Sequence, residues 1–135
     1  MHCSQHRVRL LMGLLALSAL TACSTAGFHR AAPVHHFVIC WLKDPGNAEQ
    51  RQQLISASYE LASIPGVVSV AAGTAIASDR PVVDGSYDVA ILFTFSSSED
   101  LAAYLEHPDH LRATREVLKP LVDRVVIYDF VAAKP

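Results

Sequence analysis

Cysteine is scarce in this 135-residue chain: Cys3 and Cys23 fall near the start, and Cys40 alone lies beyond them. With a single thiol left for the folding part, no internal disulfide framework can form. Cys40 sits in an apolar run, where a small buried hydrophobe is the expectation rather than a reactive nucleophile. Positive charge is thin as well, with 11 Lys and Arg against 13 Asp and Glu and a net charge of −2. No basic cluster interrupts that balance, so a nucleic-acid partner is not expected. No recognised zinc-binding spacing is present, and neither a metal nor an organic cofactor is expected. The small-and-apolar run Leu10 to Ala22 holds thirteen residues, short of the roughly twenty a membrane-spanning helix needs.

That short run has a different use. Arg7 and Arg9 precede it, and small residues close it, which is the layout of a secretory signal peptide. The closing Leu20-Thr21-Ala22-Cys23 resembles the bacterial lipoprotein box, in which cleavage precedes a cysteine that becomes lipid-modified. The alternative is ordinary signal cleavage, leaving Cys23 as a free thiol. Residues 1–22 are therefore read as a lipoprotein signal peptide, residues 23–33 as a lipidated tether, 34–131 as one folded domain and 132–135 as a tail. Ser24 after the cysteine, with no aspartate there, resembles the pattern that sorts to a Gram-negative outer membrane, facing the periplasm. Loss of Arg7 and Arg9 with the leader takes the net charge from −2 to −4.

The domain opens with His36 to Leu42, rich in branched and aromatic residues and stopped by Asp44-Pro45-Gly46, a strand ending in a turn. Both of its faces are apolar: His36, Val38, Cys40 and Leu42 on one, Phe37, Ile39 and Trp41 on the other. Asn47 with Gln50 three residues on predicts a capped helix carrying Leu54, Ile55, Ser58, Leu61 and Ala62, ended by Ile64-Pro65-Gly66. Val67 to Ile76 reads as a second strand, with Gly73 marking a bulge or close approach. A polar loop, Ala77 to Gly85, follows. Tyr87 to Phe95 alternates cleanly as a third strand, and Ser97 with Asp100 starts a second helix. That helix breaks at His107-Pro108, resumes with Leu111, Thr114, Leu118 and Leu121 inward, and closes at Pro120. Asp123 to Val131 is the last strand.

Strand, helix, strand, strand, helix, strand is the order of an α+β, ferredoxin-like fold: a four-stranded antiparallel sheet with both helices on one face. Helices can shelter one side of such a sheet, yet its strands are apolar on both. A second copy packed face to face is the expected cover, giving a two-fold homodimer with the form of an α/β barrel.

The break at His107-Pro108 supplies the candidate site. Within seven residues, Tyr104 to His110 holds a phenol and two imidazoles, and the elbow is expected to hold Tyr104 and His110 across a gap, as in a pocket wall. His110 suits a general base, since an imidazole accepts a proton near neutrality and Asp109 or Tyr104 could fix its tautomer. It equally suits a helix-start histidine packed for structure. Tyr104 could donate to a developing enolate or serve as an amphipathic core residue. His36 reads as a satisfied core histidine, and His107 as part of the elbow itself.

Several of these pieces together resemble the stress-responsive dimeric α/β-barrel (Dabb) family. They are His36-Phe37-Val38 with Leu42-Lys43-Asp44, Ile64-Pro65-Gly66-Val67, Tyr87-Asp88-Val89-Ala90 with Phe95, Tyr104 with His107-Pro108-Asp109-His110, and Asp129-Phe130. The likeness spans His35 to Phe130. In a plant polyketide cyclase of the family, positions matching Tyr104 and His110 act on a linear poly-β-keto thioester, and one matching His36 lines the pocket. The resemblance thus implies Tyr104, His110 and His36 as catalytic candidates. The cyclase's third-strand histidine is matched by Val89, so the full set is not reproduced. Two functions stay open: a stress-responsive lipoprotein binding a small apolar ligand, and an acid–base enzyme on a carbonyl or polyketide-like substrate.

Cys23→Ser is expected to abolish both metabolic acyl labelling and recovery with the membrane fraction. A serine variant that still sediments with membranes would overturn the lipid anchor.

Overall fold

The computed structural model describes residues 32–133. The expected signal peptide, the lipidated Cys23 and the tether as far as residue 31 lie outside the described residues.

Strand β1, Val34–Leu42, follows the alternation of its sequence: Val34, His36, Val38, Cys40 and Leu42 are buried and the residues between them are half-exposed. Cys40 is fully buried and its thiol is pushed up to about 11 by loss of solvent, which makes it inert. Helix α1, Ala48–Glu60, begins where Asn47 Oδ1 accepts the Gln50 N–H at 3.0 Å. A short 3₁₀ turn, Leu61–Ser63, prolongs it to the Ile64-Pro65-Gly66 stop. Gly66 has φ +92°, and a Cβ there would lie 3.0 Å from the Asp100 Cβ, so glycine is required twice over.

Strands β2, Val67–Gly73, and β3, Val89–Phe95, are shorter than the pattern of their sequence suggests. Residues 74–76 continue the apolar run but gain no strand partner among the described residues. The Asp88 carboxylate accepts from the N–H groups of Leu42 (2.9 Å) and Gly46 (2.8 Å) and from Arg51 (3.0 and 2.7 Å). It thereby ties the end of β1, the following turn and α1 to one buried point. Gly73 marks neither expected feature: the register shift lies between Val67 and Ser69, and a Cβ on Gly73 would meet nothing within 4 Å.

Helix α2, Ser98–Glu106, is capped by Ser97 Oγ, which accepts the Asp100 N–H at 3.1 Å. His107 is extended (φ −64°, ψ 136°), ends α2 and starts α3, Pro108–Ala113. The chain then passes through a π turn, Thr114–Leu118, into the single turn α4, Lys119–Leu121. The elbow and the π turn each shift the helical phase, so the expected inward stripe is not continuous. Leu111 is 50% exposed, whereas Val117, Leu118 and Leu121 pack against the core. Pro120 does not close the helix but occupies the first turn of α4, and β4, Val122–Val131, follows directly.

The sheet order is β2-β3-β1-β4, antiparallel throughout, with the helices on one face. The opposite face carries Phe37, Ile39, Trp41, Leu92, Tyr128 and Phe130, and Tyr128 is 57% exposed. Arg124 lies 3.7 Å from the Trp41 ring centroid and Ser86 accepts its indole N–H, covering one corner only.

Burial alone would raise the Asp88 pKa. The Leu42 and Gly46 N–H groups and the Arg51 guanidinium outweigh it and hold the carboxyl below the usual carboxylate range. Asp88→Asn is expected to lower unfolding free energy by about 2 kcal/mol in urea titrations. A depressed carboxylate contributes stability that is complete above the unfolded value, about pH 4, and is lost as pH falls through the folded one. The variant's acid limb is therefore expected to be shallower than the wild type's.

Candidate functional site

Three elements bring the candidate side chains together. β1 carries His36 on its helix-facing side, and the antiparallel register sets Asp129 of β4 directly opposite. His36 Nδ1 and Asp129 Oδ1 are 2.6 Å apart, with the histidine buried and the carboxylate half-exposed. α2 turns Tyr104 inward at three residues from Leu101. Its ring packs 5.1 Å from both Phe93 and Phe95 and 6.2 Å from the His36 ring.

His110 reaches the same place because of the elbow. In an unbroken helix, six residues at about 100° each would leave Tyr104 and His110 roughly 120° apart around the axis. The extended His107 folds α3 back, and the two rings touch, 4.6 Å between centroids. The expected gap is thus replaced by contact. His107 itself caps α3, its Nδ1 accepting the Asp109 N–H at 3.2 Å.

Neither Asp109 nor Tyr104 sets the His110 tautomer. Asp109 pairs with Arg112 at 2.8 Å, and His110 Nδ1 lies 3.0 Å from the Leu105 carbonyl. A carbonyl only accepts, so Nδ1 carries the proton and donates, and Nε2 keeps its lone pair. Burial lowers the His110 pKa; the Leu105 carbonyl opposes this and the nearby His36 adds to it. His110 is therefore a neutral acceptor at neutral pH. Burial pushes the Tyr104 phenol well above its ordinary value, so it remains a protonated donor.

These groups line a cavity of about 470 Å³ between the sheet and the helices. His36, Tyr104 and His110 stand together at one end, and Val38, Val117, Leu118 and Ile127 form much of the apolar wall. Helices do not reach over β4, which leaves Ile127 48% exposed and opens the cavity along that edge. Val89, the position the resemblance matches to a cyclase histidine, is fully buried and is not part of the cavity wall.

Sequence reasoning missed two partners. Asp129 stood among the residues carrying the resemblance, but only the β1–β4 register links it to His36. The Leu105 carbonyl is a main-chain group freed by the helix break, and no side-chain pattern announces it.

Residues 34–132 match the family model for the stress responsive A/B barrel domain. A stress-response A/B barrel domain-containing protein of Arabidopsis thaliana is 25% identical over 99 residues, which are 73% of this chain. The chain spans only 36% of that relative's length. A dimeric ferredoxin-like protein of unknown function from Thermobifida fusca superposes with TM-score 0.61 at 26% identity, covering 76% of this chain and 93% of that one. A hydroxynitrile lyase from Passiflora edulis superposes with TM-score 0.63 at 22% identity, covering 77% and 96%. Sheet order, helix placement and the matched span agree, and the chain belongs to the stress-responsive A/B barrel (Dabb) domain family.

Proposed function

We propose that this Dabb-domain protein is exported, anchored to the cell envelope through lipid on Cys23, and binds a small apolar ligand as a homodimer. The observation that carries the binding reading is the 470 Å³ cavity, apolar along most of its wall and polar at one end. Such a combination suits a ligand held by burial and oriented by a few hydrogen bonds. The dimer is supported by the uncovered sheet face with Phe37, Trp41, Tyr128 and Phe130, and by the dimeric description of the Thermobifida fusca protein. The anchor is supported by Leu20-Thr21-Ala22-Cys23 behind a short apolar run.

A second reading rests on the His110 tautomer. An imidazole pinned at Nδ1 and free at Nε2, in contact with a protonated phenol, is built for acid–base work on a carbonyl compound. In that reading Nε2 takes a proton from the carbon beside the carbonyl, and the Tyr104 hydroxyl donates to the enolate oxygen that forms. His36 closes the inner wall with Asp129 behind it.

Small molecules retained by the purified chain are expected in wild type and lost or reduced in Tyr104→Phe and His110→Ala, as read by mass spectrometry. An unchanged profile in both variants would remove this cavity as the site. In sedimentation at micromolar concentration the domain is expected to run as a dimer, and Tyr128→Lys with Phe37→Lys to run as a monomer; a monomeric wild type would overturn the pairing. If catalysis operates, the lowered His110 pKa keeps the base free through neutrality. The rate is then expected to be flat from pH 8 to the ordinary histidine value of about 6.5 and to fall only in stronger acid.

A further inference from the structure

The sheet face turned away from the helices carries almost no charge, and none of it is negative. Strand register places His35 of β1 and Arg124 and Tyr128 of β4 on this face, and β2 and β3 add only small, apolar or hydroxyl side chains. Arg124 is held over the Trp41 ring, at the other end of β1 from His35, with Asp84 of the loop before β3 near it. At the His35 end the carboxylates belong to the helix side: Asp129 is paired with His36, Asp100 accepts from the Ser97 hydroxyl, and Glu99 is exposed in the first turn of α2. Residues 24–33 and 132–135, which flank this end in sequence, contain Arg30 and Lys134 but no Asp or Glu.

His35 is half-exposed in the single chain, its ring 4.8 Å from Phe130 and its Nδ1 3.2 Å from the Thr94 hydroxyl. That hydroxyl can donate to a bare Nδ1 or accept from a protonated one, so either neutral tautomer is served. Protonation adds a charge and a second N–H, and the face holds no group to receive them. A two-fold partner presents the same surface again. Whichever way it seats, the described face brings His35 another imidazole, an arginine, or aromatic and apolar side chains, and no carboxylate. Burying an unpaired cation there costs far more than burying the neutral ring.

Resting on the homodimer reading above, we propose that His35 makes the pairing of two copies acid-labile: the dimer holds while both imidazoles are neutral and separates once they are protonated. The free chain hydrates the cation and the paired one excludes it, so two separate copies bind more protons than the dimer. Pairing is therefore complete above the ordinary histidine range and is lost as pH falls through it. In the exported setting proposed above, the acidity outside the cytoplasm decides whether the apolar face is covered.

The test is sedimentation equilibrium of the purified full chain at pH 7.5 and 5.5, with circular dichroism at both to follow the fold. The dimer dissociation constant is expected to rise about a hundredfold between them, about tenfold for each imidazole of ordinary basicity that takes up a proton. His35→Gln keeps an uncharged group able to bond Thr94, and His35→Phe keeps a ring against Phe130. Each variant is expected to pair equally well at both pH values. A wild-type constant that does not change with pH, in a chain folded at both, would overturn the proposal and leave the dimer standing. A rise in both variants equal to that of the wild type would overturn it as well, by placing the titrating group elsewhere. A wild-type chain already monomeric at micromolar concentration and pH 7.5 would instead remove the homodimer reading, and this proposal with it.

Discussion

β1 is apolar on both sides, and the rest of the architecture answers to that. A central strand with Val38, Cys40 and Leu42 on one face and Phe37, Ile39 and Trp41 on the other must be covered twice. One chain supplies two helical segments, enough for a single face. The helices pack over β2 and β3 and the adjoining side of β1, and they stop short of β4. Two consequences follow from this shortage of cover. The far face is left uncovered, and the near face keeps an open cavity along its uncovered edge.

The cavity survives because the elements that could fill it are held elsewhere. Asp88 fixes the β1 end, its turn and α1 through four hydrogen bonds to a single carboxylate. His107 fixes the angle between α2 and α3, and the π turn at Thr114–Leu118 shifts the helical phase ahead of α4. Within that frame the polar groups gather at one end. His36 is held from behind by Asp129, His110 by the Leu105 carbonyl, and Tyr104 by Phe93 and Phe95. Each ring is held by these partners, and His110 Nε2 and the Tyr104 hydroxyl make no hydrogen bond among the described residues.

Features with local causes were legible in the chain itself. Asn47 with Gln50 and Ser97 with Asp100 start helices because a side-chain oxygen meets an N–H three residues on, without help from the fold. Alternation in β1 and β3 gave their inward faces, and Pro108 gave the elbow. The errors lie where a partner distant in sequence decides. β2 ends at Gly73 for want of a paired strand, and Leu111 turns outward because His107 and the π turn reset the helical phase.

The candidate site divides the same way. Residue order alone determined the element types, the fold class and the concentration of phenol and imidazole between Tyr104 and His110, because those depend on propensity, periodicity and proline geometry over a few residues. Only the tertiary structure decided that Asp129 backs His36, that Leu105 orients His110, and that a cavity lies between them. Those relations come from strand register and from the angle at one extended residue, quantities set by packing across 93 positions in the case of His36 and Asp129.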